Sequence, residues 1–303
     1  MANEAISNRQ IGSITMPRVT SGRPRIQMGR MILYIVAILS SIIFMLPFVY
    51  TILSSLKSPG ELYRYPPVWL PDTPHPENYL TVFEKVAFAR WLLNSAFISV
   101  AATFGSVLSA AIVGYSFARF RYPGRNLLFM ITMSTMMLPT EVTLIPLYLA
   151  FAKLHWLDSY KPLILPSFFG GGAFLIFLMR QFFMTIPMDL DEAARIDGAG
   201  YLRIFWQILL PLSVPVLATG AVLTFMGHWN DFMYPFIFLN TKIKFTVAVG
   251  VRYFQATVGV DVGEPVEHLL MAAGILMTAP IIVLFFLSQR YFVRGVVMSG
   301  IKG

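Results

Sequence analysis

Six apolar stretches, each long enough to cross a lipid bilayer, constrain this chain more than any other feature of its sequence. They lie at about residues 31–53, 91–118, 126–150, 162–179, 207–238 and 268–288. A helix needs about 20 predominantly apolar residues to cross about 30 Å of hydrocarbon, and it satisfies its own backbone hydrogen bonds there. We therefore expect an all-α membrane protein with six transmembrane helices.

The amino-acid composition agrees with a membrane protein and excludes two other classes. Apolar residues make up 56% of the 303 residues, charged residues only 13%, and the mean hydropathy is +0.67. A disordered chain is charged and poor in aromatic residues, and a soluble domain lacks the interior for so much apolar surface. The net charge of +8 is spread along the chain, so we expect contact with membrane lipid and no nucleic acid.

Metal and cofactor sites are not expected on this chain. Cysteine is absent, and the four histidines are never paired at i, i+4. This distribution disfavours thiolate and histidine metal sites. The sequence also has no Gly-x-x-x-x-Gly-Lys-Ser/Thr phosphate loop, so we do not expect it to bind or hydrolyse ATP.

The distribution of lysine and arginine predicts the orientation of the spans. Fourteen of these residues fall on the side of the two termini and nine on the other side. Because the richer side is the cytoplasmic one, we expect both termini in the cytoplasm. The chain then consists of a basic arm, residues 1–30, and a transmembrane domain, residues 31–303.

The segment 186–206, which this topology places on the cytoplasmic side, is predicted to contain a short helix. Asp189 followed by Glu192 three residues later is typical of a helix start, and Gly198 and Gly200 indicate its end. Two interpretations stay open. The helix either joins two spans, or it fits a groove in another protein, where alanines allow close approach and Glu192 pairs with a base.

Several motifs together resemble one family of transport proteins. The clearest is EAARIDGA at 192–199, followed by ILLP at 208–211. The others are KSPGEL at 57–62, YPPVWLP at 65–71, NY at 78–79, NS at 94–95, ARFRYPG at 118–124, WNDF at 229–232 and QRYFVRG at 289–295. The chain, over about residues 31–303, resembles the permease subunits of bacterial binding-protein-dependent ABC importers. Within the carbohydrate-uptake branch, it resembles the smaller permease of maltose and glycerol-3-phosphate importers.

The resemblance implies an architecture and a set of partners. Permeases of this family have the type I ABC importer permease fold and lie in the bacterial inner or plasma membrane. They form a heterodimer with a second permease and receive sugar from an extracytoplasmic binding protein. Two cytoplasmic ATPase subunits, which bind ATP and Mg²⁺, dock beneath the pair and supply the energy. This chain is then a permease and not itself an enzyme.

The resemblance also implies roles for particular residues. Glu192 would pair with a basic residue of the ATPase, while Ala193 and Ala194 would pack in its cleft. In the loop 239–266, a segment that includes Gln255 and Gly259 would reach into the docked binding protein. The expected ATPase-coupling residues share one short helix: Asp189, Glu192, Ala193, Ala194, Asp197 and Gly198.

Two acids within the predicted spans, Glu141 and Asp231, are candidates for the substrate path. A charge at mid-bilayer costs roughly 2.5–3.5 kcal/mol on insertion scales, so such an acid indicates function. Asp231 stands beside Trp229 and Asn230, and an aromatic ring with an amide and a carboxylate suits a sugar. In the alternative interpretation, Asp231 caps a helix break, Trp229 anchors the span at the bilayer surface, and Glu141 makes an interhelical hydrogen bond.

Two other classes of protein are alternatives to an importer permease. A secondary transporter or channel would move solute without an ATPase, and in it the substitution Glu192→Ala would be nearly silent. A membrane-embedded enzyme would need a buried catalytic set, and no such set stands at a recognisable spacing in this sequence. The acids at 189–197 are predicted to lie on the cytoplasmic helix and not in a pocket.

Overall fold

The computed structural model describes the backbone of residues 28–261 and 266–299, with side chains for all of these except 258–261 and 290–299. Every regular element in this part of the chain is helical. The α-helices, in chain order, are Met28–Ser55 (α1), Pro59–Leu62 (α2), Glu77–Lys85 (α3), Phe88–Arg119 (α4), Arg125–Ser134 (α5), Thr140–Lys153 (α6), Lys161–Ile164 (α7), Ala173–Thr185 (α8), Asp189–Ile196 (α9), Tyr201–Ile204 (α10), Leu210–Leu212 (α11), Val214–Asn230 (α12), Met233–Phe238 (α13), Val247–Asp261 (α14) and Glu267–Ser299 (α15).

The chain divides into two compact units, Met1–Phe48 and Val49–Gly303. Helix α1 begins in the first unit and ends in the second. The predicted basic arm lies outside the described residues, except for residues 28–30, which start α1. The predicted boundary between arm and transmembrane domain therefore stays a prediction.

Six segments of the described chain are candidate membrane spans. Four are helical and apolar enough by themselves: α1, α4, Lys161–Thr185 and Glu267–Gln289. Two more are bent pairs. Arg125–Met137 and Thr140–Lys153 meet at 98°, and Tyr201–Leu212 and Val214–Asn230 meet at 79°. With each bent pair counted as one span, these segments correspond to the six predicted stretches, and the all-α membrane fold is confirmed.

The fifth span differs from its predicted limits, 207–238. It bends at Ser213, where Pro215 lacks the amide that would donate to the carbonyl of Pro211. Helix α12 then ends at Asn230, because Asp231 has extended backbone angles, and the separate helix α13 follows. The predicted continuous span is thus two helices with a break at Asp231.

Helix α4 is the central element of the second unit and packs against α8 and α12. Its buried face is rich in small residues, which let neighbouring backbones approach closely. A Cβ at Gly114 would lie 2.8 Å from the Cβ of Met179 and 3.0 Å from the amide nitrogen of Arg180. We infer that α4 and α8 pack at a distance that only glycine permits at this position.

The N-terminal end of α4 is fixed to the segment before α14 by polar side chains. Trp91 Nε1 donates to the carbonyl oxygen of Lys242 at 2.8 Å, and Asn94 Nδ2 donates to those of Ile243 and Phe245. The amide of Val247 donates to Ser95 Oγ at 2.8 Å. The NS motif at 94–95 therefore satisfies the backbone of a segment about 150 residues later in the chain.

The segment between α1 and α4 is also held by polar side chains. Asn78 Nδ2 donates to the carbonyl oxygens of Ser55 and Lys57, and the hydroxyls of Ser55 and Tyr79 lie 2.7 Å apart. Lys57 is buried and donates to the carbonyl oxygen of Val68. The KSPGEL and NY motifs thus fix this proline-rich connection to the end of α1.

Asp158 joins the loop after α6 to the loop before α14. Its carboxylate accepts hydrogen bonds from the amides of Asn240 and Thr241, from Thr241 Oγ1 at 2.6 Å and from Lys244 Nζ at 2.7 Å. Partial burial raises the pKa of this carboxyl, but the hydrogen bonds from Lys244, Thr241 and Asn240 outweigh it and hold the pKa well below its ordinary value.

The substitution Asp158→Ala is expected to destabilise the protein by about 1–3 kcal/mol, because it removes several hydrogen bonds to a charged group. Since the pKa is lower in the folded state, this contribution is present above the ordinary carboxyl pKa and is lost as pH falls below about 4. Thermal unfolding in detergent measures the effect. Asp72→Ala is the control. The side chains of Asp72 and its ion-pair partner Arg64 are each 60% exposed, and such an exposed pair contributes less than about 1 kcal/mol. Equal effects of the two substitutions would contradict the assignment.

Candidate functional site

The predicted helix in segment 186–206 is present as α9, eight residues long. Its start differs from the expectation: Asp189 is the first helical residue, and no side chain caps the helix at Met188. Its end follows the expectation. Gly198 has φ +79°, and the amides of Gly198 and Ala199 donate to the carbonyl oxygens of Arg195 and Ala194. This is the Schellman arrangement, which requires a left-handed residue and therefore favours glycine.

The two sides of α9 have different surroundings. Glu192 and Ala193 are exposed, as are Asp189, Asp197 and Gly198. Ala194 is only 8% exposed and packs in an apolar cluster of α4, α8 and the 201–209 region. Of the two alanines expected to enter a partner's cleft, Ala193 is thus accessible and Ala194 is covered by its own chain.

A buried ion pair holds α9 to the C-terminal end of α4. Arg119 Nε lies 3.2 Å from Asp191 Oδ2, and the side chains are 2% and 1% exposed. Arg119 also donates to the carbonyl oxygen of Ile186 at 3.0 Å and to Met188 Sδ at 2.9 Å. Burial raises the pKa of Asp191, although Arg119 and Arg195 act in the opposite direction.

Aromatic side chains fix the short helix α10 beside this pair. Tyr115 Oη donates to the carbonyl oxygen of Tyr201 at 3.2 Å. The ring of Phe120 lies edge-on to Tyr201 with centroids 5.0 Å apart, and Tyr115 lies 5.1 Å from Phe205. The ARFRYPG motif therefore supplies both an arginine and an aromatic ring to the segment 186–206.

The break after α12 lines a cavity of about 200 Å³ among the spans. Its polar lining groups are those of His228, Asp231, Tyr234 and Ser167, and the rest of its lining is apolar. Asp231 Oδ1 also accepts the amide of Tyr234 at 3.3 Å, as a capping residue does at a helix start. The capping alternative is therefore present in the structure, and the same carboxyl faces a cavity.

The other predicted path residues lie elsewhere. Trp229 is 2% exposed, donates to the carbonyl oxygen of Met277 at 3.2 Å and stacks on Phe225. It is a core residue and is not among the residues that line the cavity beside Asp231. Asn230 is exposed at the end of α12. Glu141 is exposed in the first turn of α6, directly after the bend at Pro139, and does not line the cavity beside Asp231.

Three consecutive glycines interrupt the fourth span and were not among the predicted site residues. Gly170, Gly171 and Gly172 all have φ between +68° and +106° and separate a 3-10 turn from α8. Gly171 and Gly172 line a second cavity, of about 420 Å³, with Met136 and Thr224. A run of glycines inside an apolar stretch could have indicated this cavity. Glycines interrupt a helix, and backbone that is not helical at membrane depth is found only where it is buried in protein or lines a cavity.

The predicted loop 239–266 contains the helix α14, which was not expected. Gln255 is exposed on this helix, and its Oε1 accepts a hydrogen bond from Arg252 Nη1 at 2.7 Å. Gly259 lies in the same helix, and residues 262–265 lie outside the described part. Within the described residues, no group of three or more histidines or acids could hold a metal ion.

Six candidate spans, some of them broken, and a short helix held to the end of α4 make this chain a multi-span membrane protein. The chain belongs to the family described as binding-protein-dependent transport system inner membrane component, which matches residues 106–298. It is thus a membrane permease component of such a transport system.

Individual relatives agree with this membership. The chain is 35% identical over 273 residues to the sn-glycerol-3-phosphate transport system permease protein UgpE of Yersinia pestis, with 88% of this chain and 95% of that protein covered. It is 33% identical over 260 residues to the arabinooligosaccharides transport system permease protein AraQ of Halalkalibacterium halodurans, with 85% and 91% covered. Its fold matches a chain in the crystal structure of a bacterial ABC transporter that imports the acidic polysaccharide alginate, with a TM-score of 0.76, 25% identity and 88% and 98% covered.

Proposed function

We propose that this chain is one of two permease subunits of an ATP-driven importer for a sugar or a related hydroxylated solute. An extracytoplasmic binding protein delivers the solute, and two ATPase subunits that bind ATP and Mg²⁺ supply the energy. The family membership and the relatives' names support the class of transporter. The single observation that carries the coupling part is α9, which is anchored on one side and exposes Glu192 and Ala193 on the other.

The proposed orientation places α9 and both termini in the cytoplasm. The C-terminal end of α4 contacts α9, and the arginines Arg119, Arg121 and Arg125 follow one another in the adjoining turn. Lysine and arginine favour the cytoplasmic side of a membrane protein. The exposed side of α9 then faces the compartment in which ATP is available.

The exposed side of α9 is suited to a basic groove. Glu192 supplies a charge that can pair with a base of the ATPase, and the small side chain of Ala193 allows close approach. Asp189 and Asp197 are also exposed on this helix and add negative charge. Ala194 contributes from inside by packing α9 on its own chain.

The proposed solute path uses the two cavities at the helix breaks. The cavity beside Asp231 offers a carboxyl, an imidazole and hydroxyls in an apolar wall, a combination suited to a hydroxylated ligand. Neither cavity has a lysine or arginine among its described lining residues. This charge pattern favours a neutral sugar over a phosphate ester such as glycerol 3-phosphate.

The helix α14 is proposed as a contact for the binding protein. Gln255 is exposed on it, as expected for a residue that meets a partner. The contact would then be made by the surface of a helix that lies within the predicted loop 239–266. A bulky substitution such as Gln255→Trp tests this contact without breaking the helix.

Purification of the intact complex from its native host tests the proposal. We expect a second permease, an ATPase and a binding protein to co-purify with this chain. The complex in lipid vesicles should take up the sugar held by its binding protein only when ATP is present on the ATPase side. Uptake by this chain alone, without ATP, would instead indicate a secondary transporter or channel.

The substitution Asp231→Asn is expected to lower the maximal rate of ATP-driven uptake about fivefold. The amide keeps an oxygen for the amide of Tyr234 but loses the charge, which is worth about 1 kcal/mol in a hydrogen bond to a solute hydroxyl. Uptake is measured at saturating binding protein. Glu141→Gln is the matched control and should leave the rate unchanged, because Glu141 does not line this cavity. The reverse ranking would move the path to the bend at Pro139.

A further inference from the structure

We infer that the buried ion pair between Arg119 and Asp191 is the joint through which movement of α9 is passed to α4. The inference rests on the proposed function, because it takes α9 as the contact with the ATPase. It adds two positioning residues that do not touch the solute, the nucleotide or the partner.

The geometry of the pair joins three parts of the chain at one guanidinium. Arg119 is the last residue of α4, and its Nε lies 3.2 Å from Asp191 Oδ2 in α9. Its Nη2 donates to the carbonyl oxygen of Ile186, in the connection that leads from α8 to α9. One side chain therefore fixes both the helix and the segment that precedes it.

The connections on either side of α9 are not helical. Ile186, before the helix, has an extended backbone, and Gly198 ends the helix in a left-handed conformation. The helix is therefore continuous with neither α8 nor α10. Its buried side chains, Asp191 and Ala194, hold it to the rest of the chain, together with Arg195, whose guanidinium lies 4.7 Å from the centroid of the Tyr201 ring.

The buried location makes this joint resistant to separation. The two side chains are 2% and 1% exposed, and a charge left in such a place without its partner is strongly unfavourable. Displacement of α9 away from α4 would create two such charges. The lower-energy response is for the end of α4 to move together with α9.

The sequence of α9 places the two roles side by side. Asp191 points into the chain, whereas the next residue, Glu192, is exposed toward the proposed partner. Successive residues of a helix point about 100° apart. A displacement of Glu192 by the partner therefore moves Asp191 in the same turn of α9, and Asp191 contacts Arg119 at the end of α4. Helix α4 in turn packs against α8 and α12.

The test compares the amount of solute taken up per ATP hydrolysed by the full complex in lipid vesicles. We expect Asp191→Asn to lower this ratio at least threefold, while the amount of co-purified ATPase stays the same. The double variant Arg119→Met with Asp191→Leu removes both charges and keeps apolar volume, a change that buried ion pairs often tolerate in stability. We expect it to assemble normally and still show the lowered ratio.

Control variants separate this inference from a merely structural role. Arg121→Gln removes an exposed arginine from the same turn and should leave the ratio unchanged. If the joint only stabilises the fold, the variants will lose assembled complex but the surviving complex will keep the normal ratio, which would overturn the inference. A normal ratio in a well-assembled double variant would also overturn it.

A further variant tells failure of this inference from failure of the proposed function. Glu192→Ala tests whether α9 contacts the ATPase at all. If Glu192→Ala lowers the amount of co-purified ATPase while Asp191→Asn keeps a normal ratio of uptake to ATP hydrolysis, the contact between α9 and the ATPase stands and the role of the ion pair is refuted. If Glu192→Ala leaves both the amount of co-purified ATPase and the ratio of uptake to ATP hydrolysis unchanged, the proposed coupling through α9 is itself refuted.

Discussion

The substitution Glu192→Ala is expected to reduce ATP-driven uptake at least tenfold. Glu192 is exposed on this chain, so the substitution leaves the isolated permease as stable as before. In the proposed complex Glu192 becomes buried against a base of the ATPase, and truncation of one partner of such a buried, hydrogen-bonded charge pair costs about 2–5 kcal/mol. Since about 1.4 kcal/mol corresponds to a factor of ten in an equilibrium constant, the loss of docked ATPase should be clear.

The measurement is the amount of ATPase that co-purifies with the permease pair, together with uptake into vesicles. Glu84→Ala is the matched control, because Glu84 is also an exposed glutamate on a short helix, α3, remote from α9 in sequence. The control should retain full uptake. Equal behaviour of the two variants would refute the docking role of α9 and favour a transporter that works without an ATPase.

The substitution Gly171→Ala is expected to be the most damaging change of a single methyl group in the described chain. A Cβ at this position would overlap the carbonyl oxygen of Ser106 in α4, and the backbone has φ +68°. The strain of a left-handed residue costs about 1–2 kcal/mol, and forcing extra volume into a packed interior adds about 1–3 kcal/mol. The clash is with backbone atoms of α4, which cannot rotate away as a side chain can.

Gly172→Ala isolates the steric part of this effect. Gly172 also has a positive φ, +91°, but no atom lies within 4 Å of its added Cβ. It should therefore show only the conformational cost. The fraction of intact permease after heating in detergent, compared among wild type and the two variants, measures the difference. A ranking in which Gly172→Ala is the more damaging variant would show that α4 does not lie against the break.

Much of the fold could be predicted from the sequence because lipid imposes simple rules. An apolar run of about 20 residues has few options other than a helix, and each predicted stretch corresponds to a helix or a bent pair. The helix α9 could also be predicted, because acids and a following Gly198 indicate its limits. The bends within spans were harder to predict from the sequence. Proline and glycine indicate where a helix can break, but the angle of the bend depends on the residues that pack against it.

The candidate site could be predicted only in part, because neighbours in sequence point to different places. Trp229 and Asp231 belong to one polar motif, yet the first packs in the core and the second faces a cavity. The helix ends between them, as in the alternative interpretation in which Asp231 caps a helix break. Ala193 and Ala194 are also neighbours in sequence, but Ala193 is exposed and Ala194 is buried. The pair Arg119–Asp191 joins residues that are distant in sequence, and Arg119 was used only for the predicted orientation and as part of the ARFRYPG motif.

The polar side chains at the two ends of α4 have a consequence for the synthesis of this protein. Trp91, Asn94 and Ser95 find their partners at residues 242–247, and Arg119 finds its partner at Asp191. A ribosome delivers α4 long before it delivers those segments. These polar groups lack those partners until the later segments have been made, so we expect the final packing of α4 to form late in synthesis.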